Sequence, residues 1–337
     1  MKHARFFSLF VFVIAALYGM VGFYFLPLAG YQGELTRMSM LPDSMFGWTK
    51  AQPAIDPALM TQSSWQEADV LVIGDSFSDP RIWQTVLTGH GLRVRTEHWA
   101  SVRDMCEDFS PWLRKQGFKG KYLILESVER NVQEGFAQSV RCKNMDVHYS
   151  VDVDKPRAPP ATTFDRDKKD YSGRLSVGIK TRINMFSYEQ LSAQPDFSNW
   201  LRDSIKVARV AQGCDLFSHQ RCRDALFLGA DSAQDLGEDV IGNMKILNAR
   251  IDGVTPIWAI VPNKSTAYLY PDKHFWDKLE PGLRSVNLFE TVQRAIRDKI
   301  VDVYPANDSH LSTTGYLLMG EEIYRRIQRE QNVGVAR

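Results

Sequence analysis

The chain has 337 residues, 44% of them hydrophobic, enough apolar material for one large domain and its elaborations. Its 41 basic and 40 acidic residues leave a net charge of +1, a balance that argues against nucleic acid as the main partner. Four cysteines without a CxxC spacing speak against a zinc site, and the chain has no phosphate-binding glycine-rich loop.

Lys2, His3 and Arg5 precede a run from Phe6 to Leu28 with no charged residue. At ~1.5 Å per residue such a run crosses the ~30 Å hydrocarbon core. A cleavable signal peptide has an apolar stretch of only about 7–15 residues, and Pro27-Leu28-Ala29-Gly30 makes a poor cleavage site. The expectation is an uncleaved single transmembrane helix over 6–28, with residues 1–5 kept in the cytoplasm by Lys2 and Arg5. Residues 29–67 mix Pro, Gly, Ser and Met without sustained periodicity. They read as a linker, or alternatively as an extra strand or helix on the domain that follows over 68–330.

Val70-Leu71-Val72-Ile73 has the length and composition of a strand buried on both faces. Gly74-Asp75-Ser76-Phe77 follows at once. Ser78 or Asp79 can then cap a helix, with Pro80 in its first turn. Ser76 is thereby expected on a tight strand-to-helix turn at the carboxyl end of a strand, where open α/β sheets hold their ligands. Residues 81–87 read as a helix, 92–99 as a second strand, 105–116 as a helix and 122–125 as a third strand. This alternation implies a parallel sheet with right-handed crossovers. Glu126, Glu129 and Arg130 follow the third strand. Arg130 suits a bidentate contact with a sugar hydroxyl or carboxylate, or equally an internal ion pair.

Residues 143–198 depart from this rhythm, with Pro156, Pro159 and Pro160 and many charges. They read as an insertion that folds over the active-site edge. Its Tyr149, Phe164 and Tyr171 could stack on sugars or anchor the loop. Residues 199–212 and 240–252 carry apolar residues consistent with helices, and 255–262 is a strand followed by Lys264 and Tyr268. Residues 281–299 look helical, 301–304 read as a short strand, and Thr313 or Thr314 caps a final helix. Four cysteines allow three pairings; in an oxidising compartment, which the anchor favours, the local pair Cys214–Cys222 and the outer pair Cys106–Cys142 are the expected bridges, with four buried free thiols as the alternative.

A serine needs a base to become a useful nucleophile. Asp308 and His310 stand two residues apart, a spacing that puts both side chains on one side of an extended segment. Asp308 could hold one ring nitrogen of His310 while the other faces Ser76, the logic of a serine triad. Backbone N–H groups at the turn would hold the oxyanion.

GDSFSD at 74–79 together with DSHLSTTG at 308–315 resembles the SGNH (GDSL-type) hydrolase superfamily, over roughly Val70 to Ile327. The segments Tyr122–Asn131 and Ile260–Tyr268 resemble the SGNH domains of the alginate O-acetyltransferase family, which acetylate exopolysaccharides in the bacterial periplasm. In that family the Asp-x-His block precedes the serine block, whereas here the serine comes first, and the Asn-containing third block is not visible. The resemblance implies a three-layer α/β/α domain around a parallel sheet, behind an inner-membrane anchor. It implies Ser76, His310 and Asp308 as catalytic residues, an oxyanion donor near Trp99–Ser101, and Asp75, Ser101, Arg130, Lys264 and Tyr268 at the oxyanion or substrate. It also implies O-acetyl transfer to a polysaccharide without metal or cofactor, with a membrane-bound acyltransferase as the partner that supplies acetyl groups. A carbohydrate esterase or deacetylase, and a non-catalytic polysaccharide-assembly protein with a vestigial triad, are the other expectations.

Overall fold

The computed structural model describes residues 2–25, 28–29, 31–145, 155–166, 168–170, 175–202, 204–279 and 282–335. Contacts divide the chain into two compact units. The smaller comprises Met1–Thr49, Phe164–Gly229 and Ala306–Ser309, and the larger Lys50–Thr163, Ala230–Pro305 and His310–Arg337.

The larger unit is built on five parallel strands, β1 (Val70–Gly74), β2 (Val94–His98), β3 (Tyr122–Val128), β4 (Thr255–Val261) and β5 (Ser285–Val286), in the order β5-β4-β3-β1-β2. Every residue of β1 and β3 is buried; β1 is apolar throughout, as a strand covered on both faces requires, whereas β3 carries Glu126 and Ser127 toward its carboxyl end. Because side chains alternate, Val70, Val72, Ile124, Ile257 and Ala259 join one apolar cluster while Leu71, Ile73, Leu123, Leu125, Trp258 and Ile260 join another. The first cluster is completed by residues from helices Gln84–Gly89, Leu288–Arg297 and Thr313–Val335, and the second by residues from Phe109–Lys115, Glu129–Arg141, Glu238–Ala249 and Phe275–Leu279. A Cβ at Gly320 would strike the Trp83 carbonyl, so this glycine sets how closely the last helix lies on Gln84–Gly89. The order reverses at β1, so the crevice between the carboxyl ends of β1 and β3 is where such a sheet binds ligands.

Three local expectations are corrected here. The helix after β1 starts at Gln84 instead of Arg81, because Asp75–Trp83 forms successive turns in which Ser78 N–H and Asp79 N–H both donate to the Asp75 carbonyl. Arg81 adopts a left-handed φ of 59°, which no helix accommodates. Residues 301–304 are a buried turn, not a strand, with Asp302 at φ 58°. The final helix is capped by Ser312, whose Oγ accepts from Gly315 N–H at 3.2 Å, not by Thr313 or Thr314.

In the smaller unit, Lys2–Phe25 is a helix, exposed over His3–Tyr24 except at half-buried Gly22, and its most apolar 18-residue window has a mean hydropathy of 2.3. It is long and apolar enough to span a membrane, consistent with a single-pass anchor. Residues expected as linker instead form short helices Glu34–Ser39 and Asp43–Phe46, with Leu35, Leu41, Met45 and Phe46 buried. Residues 199–209, expected as helix, are two strands, Asn199–Arg202 and Ile205–Arg209, paired antiparallel with each other and then with Asp224–Leu228. Part of the expected insertion, Leu175–Ser192, is a helix whose buried Tyr188 donates to Asp224 Oδ2 at 2.8 Å. Tyr149 and Tyr171 lie outside the described residues. Phe164 packs on Trp48 with ring centroids 5.4 Å apart, which makes it an anchor of its segment.

Both expected disulfides are formed, Cys106–Cys142 in the larger unit and Cys214–Cys222 in the smaller. The first closes a separation of 36 residues and the second one of 8. Loop-closure entropy assigns them about 4 and about 2.5 kcal/mol respectively. Cys106→Ser with Cys142→Ser is therefore expected to lower the melting temperature by roughly 10 °C. The Cys214/Cys222 double substitution should cost less. Calorimetry on the two pairs checks both the size and the order.

Candidate active site

β1 ends at Gly74, and the next residue begins the turn that presents Ser76. Ser76 is exposed while its neighbours Asp75, Phe77 and Ser78 are buried, so one hydroxyl stands clear of a fixed loop. His310 Nε2 lies 2.9 Å from Ser76 Oγ, within hydrogen-bond reach across 234 residues of chain. The imidazole also packs on Phe77, with ring centroids 4.8 Å apart, and Phe77 in turn meets Tyr316. The serine and the histidine are thus brought together in one unit and share one aromatic support. Asp308 belongs to the smaller unit, where its Oδ2 accepts from Glu34 N–H at 3.4 Å. Beside it, Ser309 Oγ pairs with the Glu34 carboxylate, and Asn307 Nδ2 donates to the buried Asp43 at 2.9 Å. Burial raises the Asp43 carboxyl, against the lowering effect of its bonds from Thr36 and Asn307. The stretch expected as a linker thus helps to frame the Asp308 segment.

The turn has a definite hydrogen-bond pattern. Asp75 N–H donates to Glu126 Oε2 at 3.0 Å, Phe77 N–H to Asp75 Oδ1 at 3.0 Å, and Ser78 and Asp79 N–H to the Asp75 carbonyl. Among the described residues, the Ser76 N–H alone in Asp75–Asp79 has no such acceptor, Pro80 having no N–H to offer. That leaves it able to donate to a developing oxyanion. Asp75 Oδ2 accepts from Val128 N–H at 2.8 Å, so its carboxylate stitches the turn to the end of β3 and does not face a ligand. Ser101 is buried in the short helix Trp99–Val102, and the neighbouring Ala100 N–H donates to His98 Nδ1 at 2.9 Å. Ala100 is therefore not a free oxyanion donor, and His98 serves as a helix cap.

Arg130 is exposed at the first turn of helix Glu129–Arg141. Its guanidinium sits 6.0 Å from the Phe77 ring centroid and donates to Asn263 Oδ1 at 3.3 Å, which keeps a cation beside the Ser76–His310 pair. Arg157 reaches Asp79 Oδ1 at 2.5 Å, fastening part of the insertion to the serine turn. Lys264 and Tyr268, expected on the substrate, are engaged with the chain: Lys264 Nζ donates to the Pro305 carbonyl at 2.6 Å, and the Tyr268 hydroxyl receives Tyr304 N–H at 3.5 Å. Both hold the segment that leads to the histidine block. Burial raises the Tyr268 phenol above its ordinary range, so it stays protonated.

Two buried acids went unassigned in the sequence. Glu129 forms an ion pair with buried Lys273 at 3.3 Å and accepts Asn263 N–H at 2.9 Å, which fixes the end of β4. Glu126 has no exposed surface; its Oε2 receives Ser78 Oγ–H at 2.6 Å, and its Oε1 has no partner among the described residues. Burial, and then the charge of Asp75, push its carboxyl well above the ordinary carboxylate range. An uncompensated buried carboxylate costs several kcal/mol, so protonation is the cheaper state. Neither acid had a sequence signal of its own, because a charge just after a strand is ordinarily solvated.

Comparison with family models, with curated proteins and with solved structures returns no match.

Proposed function

We propose that this chain is a membrane-anchored serine acyltransferase that places O-acetyl groups on hydroxyls of an exopolysaccharide. In this reading the larger unit is a three-layer, SGNH-like domain standing in the bacterial periplasm. The single observation that carries the reading is the 2.9 Å approach of His310 Nε2 to the exposed Ser76 Oγ at the carboxyl edge of a parallel sheet. The apolar amino-terminal helix and the two disulfides support the compartment, and the resemblance to the alginate O-acetyltransferase family supports the acceptor.

The steps follow from the pair. His310 Nε2 takes the hydroxyl proton as Ser76 Oγ bonds to the acetyl carbonyl carbon, and the oxyanion is met by the Ser76 N–H. The tetrahedral adduct expels the donor's leaving group, which takes the proton back from His310. An acceptor hydroxyl then gives its proton to His310 and attacks the acyl-serine carbonyl carbon; the bond to Ser76 Oγ breaks, and His310 returns the proton to Oγ. In this scheme Arg130 binds a hydroxyl or carboxylate of the acceptor. A membrane-bound acyltransferase would deliver the acetyl group. Hydrolysis by the same pair is the second reading, favoured by the exposure of Ser76, which lets water reach an acyl-serine.

Incubating the protein with a labelled acetyl donor and an oligosaccharide acceptor tests the proposal. Transfer predicts label on the oligosaccharide in excess over free acetate. Acetate alone would assign the chain to the esterases, and no Ser76-dependent turnover of either kind would sink both readings.

A further inference from the structure

We infer that Glu126 is a positioning residue for the Ser76 nucleophile, acting from beneath the turn through a single carboxyl oxygen. The inference rests on the proposed acyl transfer at Ser76. Oε2 of Glu126 receives Asp75 N–H at 3.0 Å and Ser78 Oγ–H at 2.6 Å, the residues one before and two after Ser76. The Ser78 oxygen is itself held by Trp83 Nε1–H at 3.1 Å, so the grip runs through to the start of the next helix. Gly74 makes this possible, because a Cβ there would strike both Ser78 Oγ and Glu126 Oε2. With Asp75 N–H drawn down to Glu126 and Phe77 N–H drawn back to Asp75 Oδ1, the peptide between them is fixed. The Ser76 N–H and Oγ are the groups left facing outward. Angular errors of the kind such a grip prevents are costly in acyl transfer: displacing a reacting atom by about 1 Å can lower a rate about a hundredfold.

Glu126 does this as the neutral acid. Its neighbours on the flanking strands are Gly74 and Ala259, neither of which titrates. Trp99 contributes an indole N–H to the Glu126 backbone carbonyl, and the following helix contributes neutral Asn131 near Asp75. Asp75 is the one titratable group that faces it among the described residues, and its two carboxyl oxygens already accept from Phe77 and Val128 N–H. A negative charge on Glu126 would have no cation to answer it. Since the folded form holds this proton more tightly than the unfolded chain, folding binds a proton above the ordinary carboxylate range. Stability from this group is fully present in acid and is lost as pH rises. Gln keeps the accepting oxygen and has no proton to lose.

The test uses the full chain with Glu126→Gln and Glu126→Leu, read two ways. The first is the rate at which a fluorophosphonate probe labels Ser76 at pH 7. The second is the melting temperature from pH 5 to pH 8. The inference expects the Gln variant to label within about threefold of wild type and the folded Leu variant about a hundredfold slower. It also expects the melting-temperature advantage of Glu126→Gln over wild type to widen as pH rises. Equal labelling by a folded Leu variant overturns the positioning role. If Leu does not fold, a Gln variant that labels tenfold or more slower than wild type overturns it instead. A constant melting difference across pH overturns the neutral acid. If folded wild type takes no label at all, the acyl-transfer reading falls and the positioning role with it, while the melting series still reports the state of Glu126.

Discussion

Replacing Ser76 with Ala is expected to lower acyl turnover by about four to six orders of magnitude and to leave the melting temperature within about a degree of wild type. The separation follows from the site. Ser76 Oγ is exposed and meets His310 Nε2, whereas the bonds that shape the turn belong to Asp75, Ser78 and Glu126. Removing the hydroxyl therefore removes the nucleophile and spares the scaffold. A loss of only a fewfold would mean that another group carries the acyl intermediate. A large fall in melting temperature would mean that Ser76 is structural. Rates with an activated acetyl ester, alongside thermal melts, check both halves.

The largest effect on stability is expected at Lys273. Its ammonium is buried with Glu129 and also donates to the carbonyls of Ser232 and Gln234. Lys273→Met keeps the aliphatic bulk but leaves the Glu129 carboxylate buried without its cation, which costs about 3–5 kcal/mol. That is a large share of the 5–15 kcal/mol typical of a folded protein. The sign of the pH dependence follows from Glu129, whose carboxyl is raised by burial even with Lys273 in place. Without Lys273 it is raised further. The deficit should therefore be small near pH 5, where Glu129 can take a proton, and should grow toward pH 8. Adding Glu129→Leu should recover most of the loss, because a well-packed apolar pair can match a buried ion pair. An unchanged denaturation midpoint in Lys273→Met would show that the pair contributes nothing.

What could be read from the sequence follows physical rules. β1, β3 and β4 were legible because a strand buried on both faces must be an unbroken apolar run, and Val70–Ile73, Tyr122–Leu125 and Pro256–Val261 are such runs. Ser76 was legible because the glycine turn follows its strand without a gap. The cysteine pairs were legible because proximity in sequence and an oxidising compartment both favoured them. The segment 199–209 was misread because Trp200, Leu201, Ile205 and Val207 fit a loose helical spacing. The deciding signal was shorter: Ile205 and Val207 are buried on either side of half-buried Lys206, an alternation three residues long. The segment after the anchor was misread because helices of 6 and 4 residues are too short to display a 3.6-residue period.

The site divides the same way. Ser76 and His310 carry their chemistry in their residue types. Glu126, Lys264 and Tyr268 do not, because burial alone decides whether an acid, an amine or a phenol serves the scaffold or a ligand. Lys264 and Tyr268 look like ligand contacts by position but are turned inward to Pro305 and Tyr304. The Asp75 carboxylate is likewise spent on Phe77 and Val128 N–H.

The most direct measurement is the mass of the protein after acid quench from an acetyl donor, followed by peptide mapping. The account predicts a single acetyl adduct on the peptide bearing Ser76 in wild type, and none in His310→Ala or Ser76→Ala. An adduct on a different residue, or one that survives in His310→Ala at the wild-type rate, would contradict it.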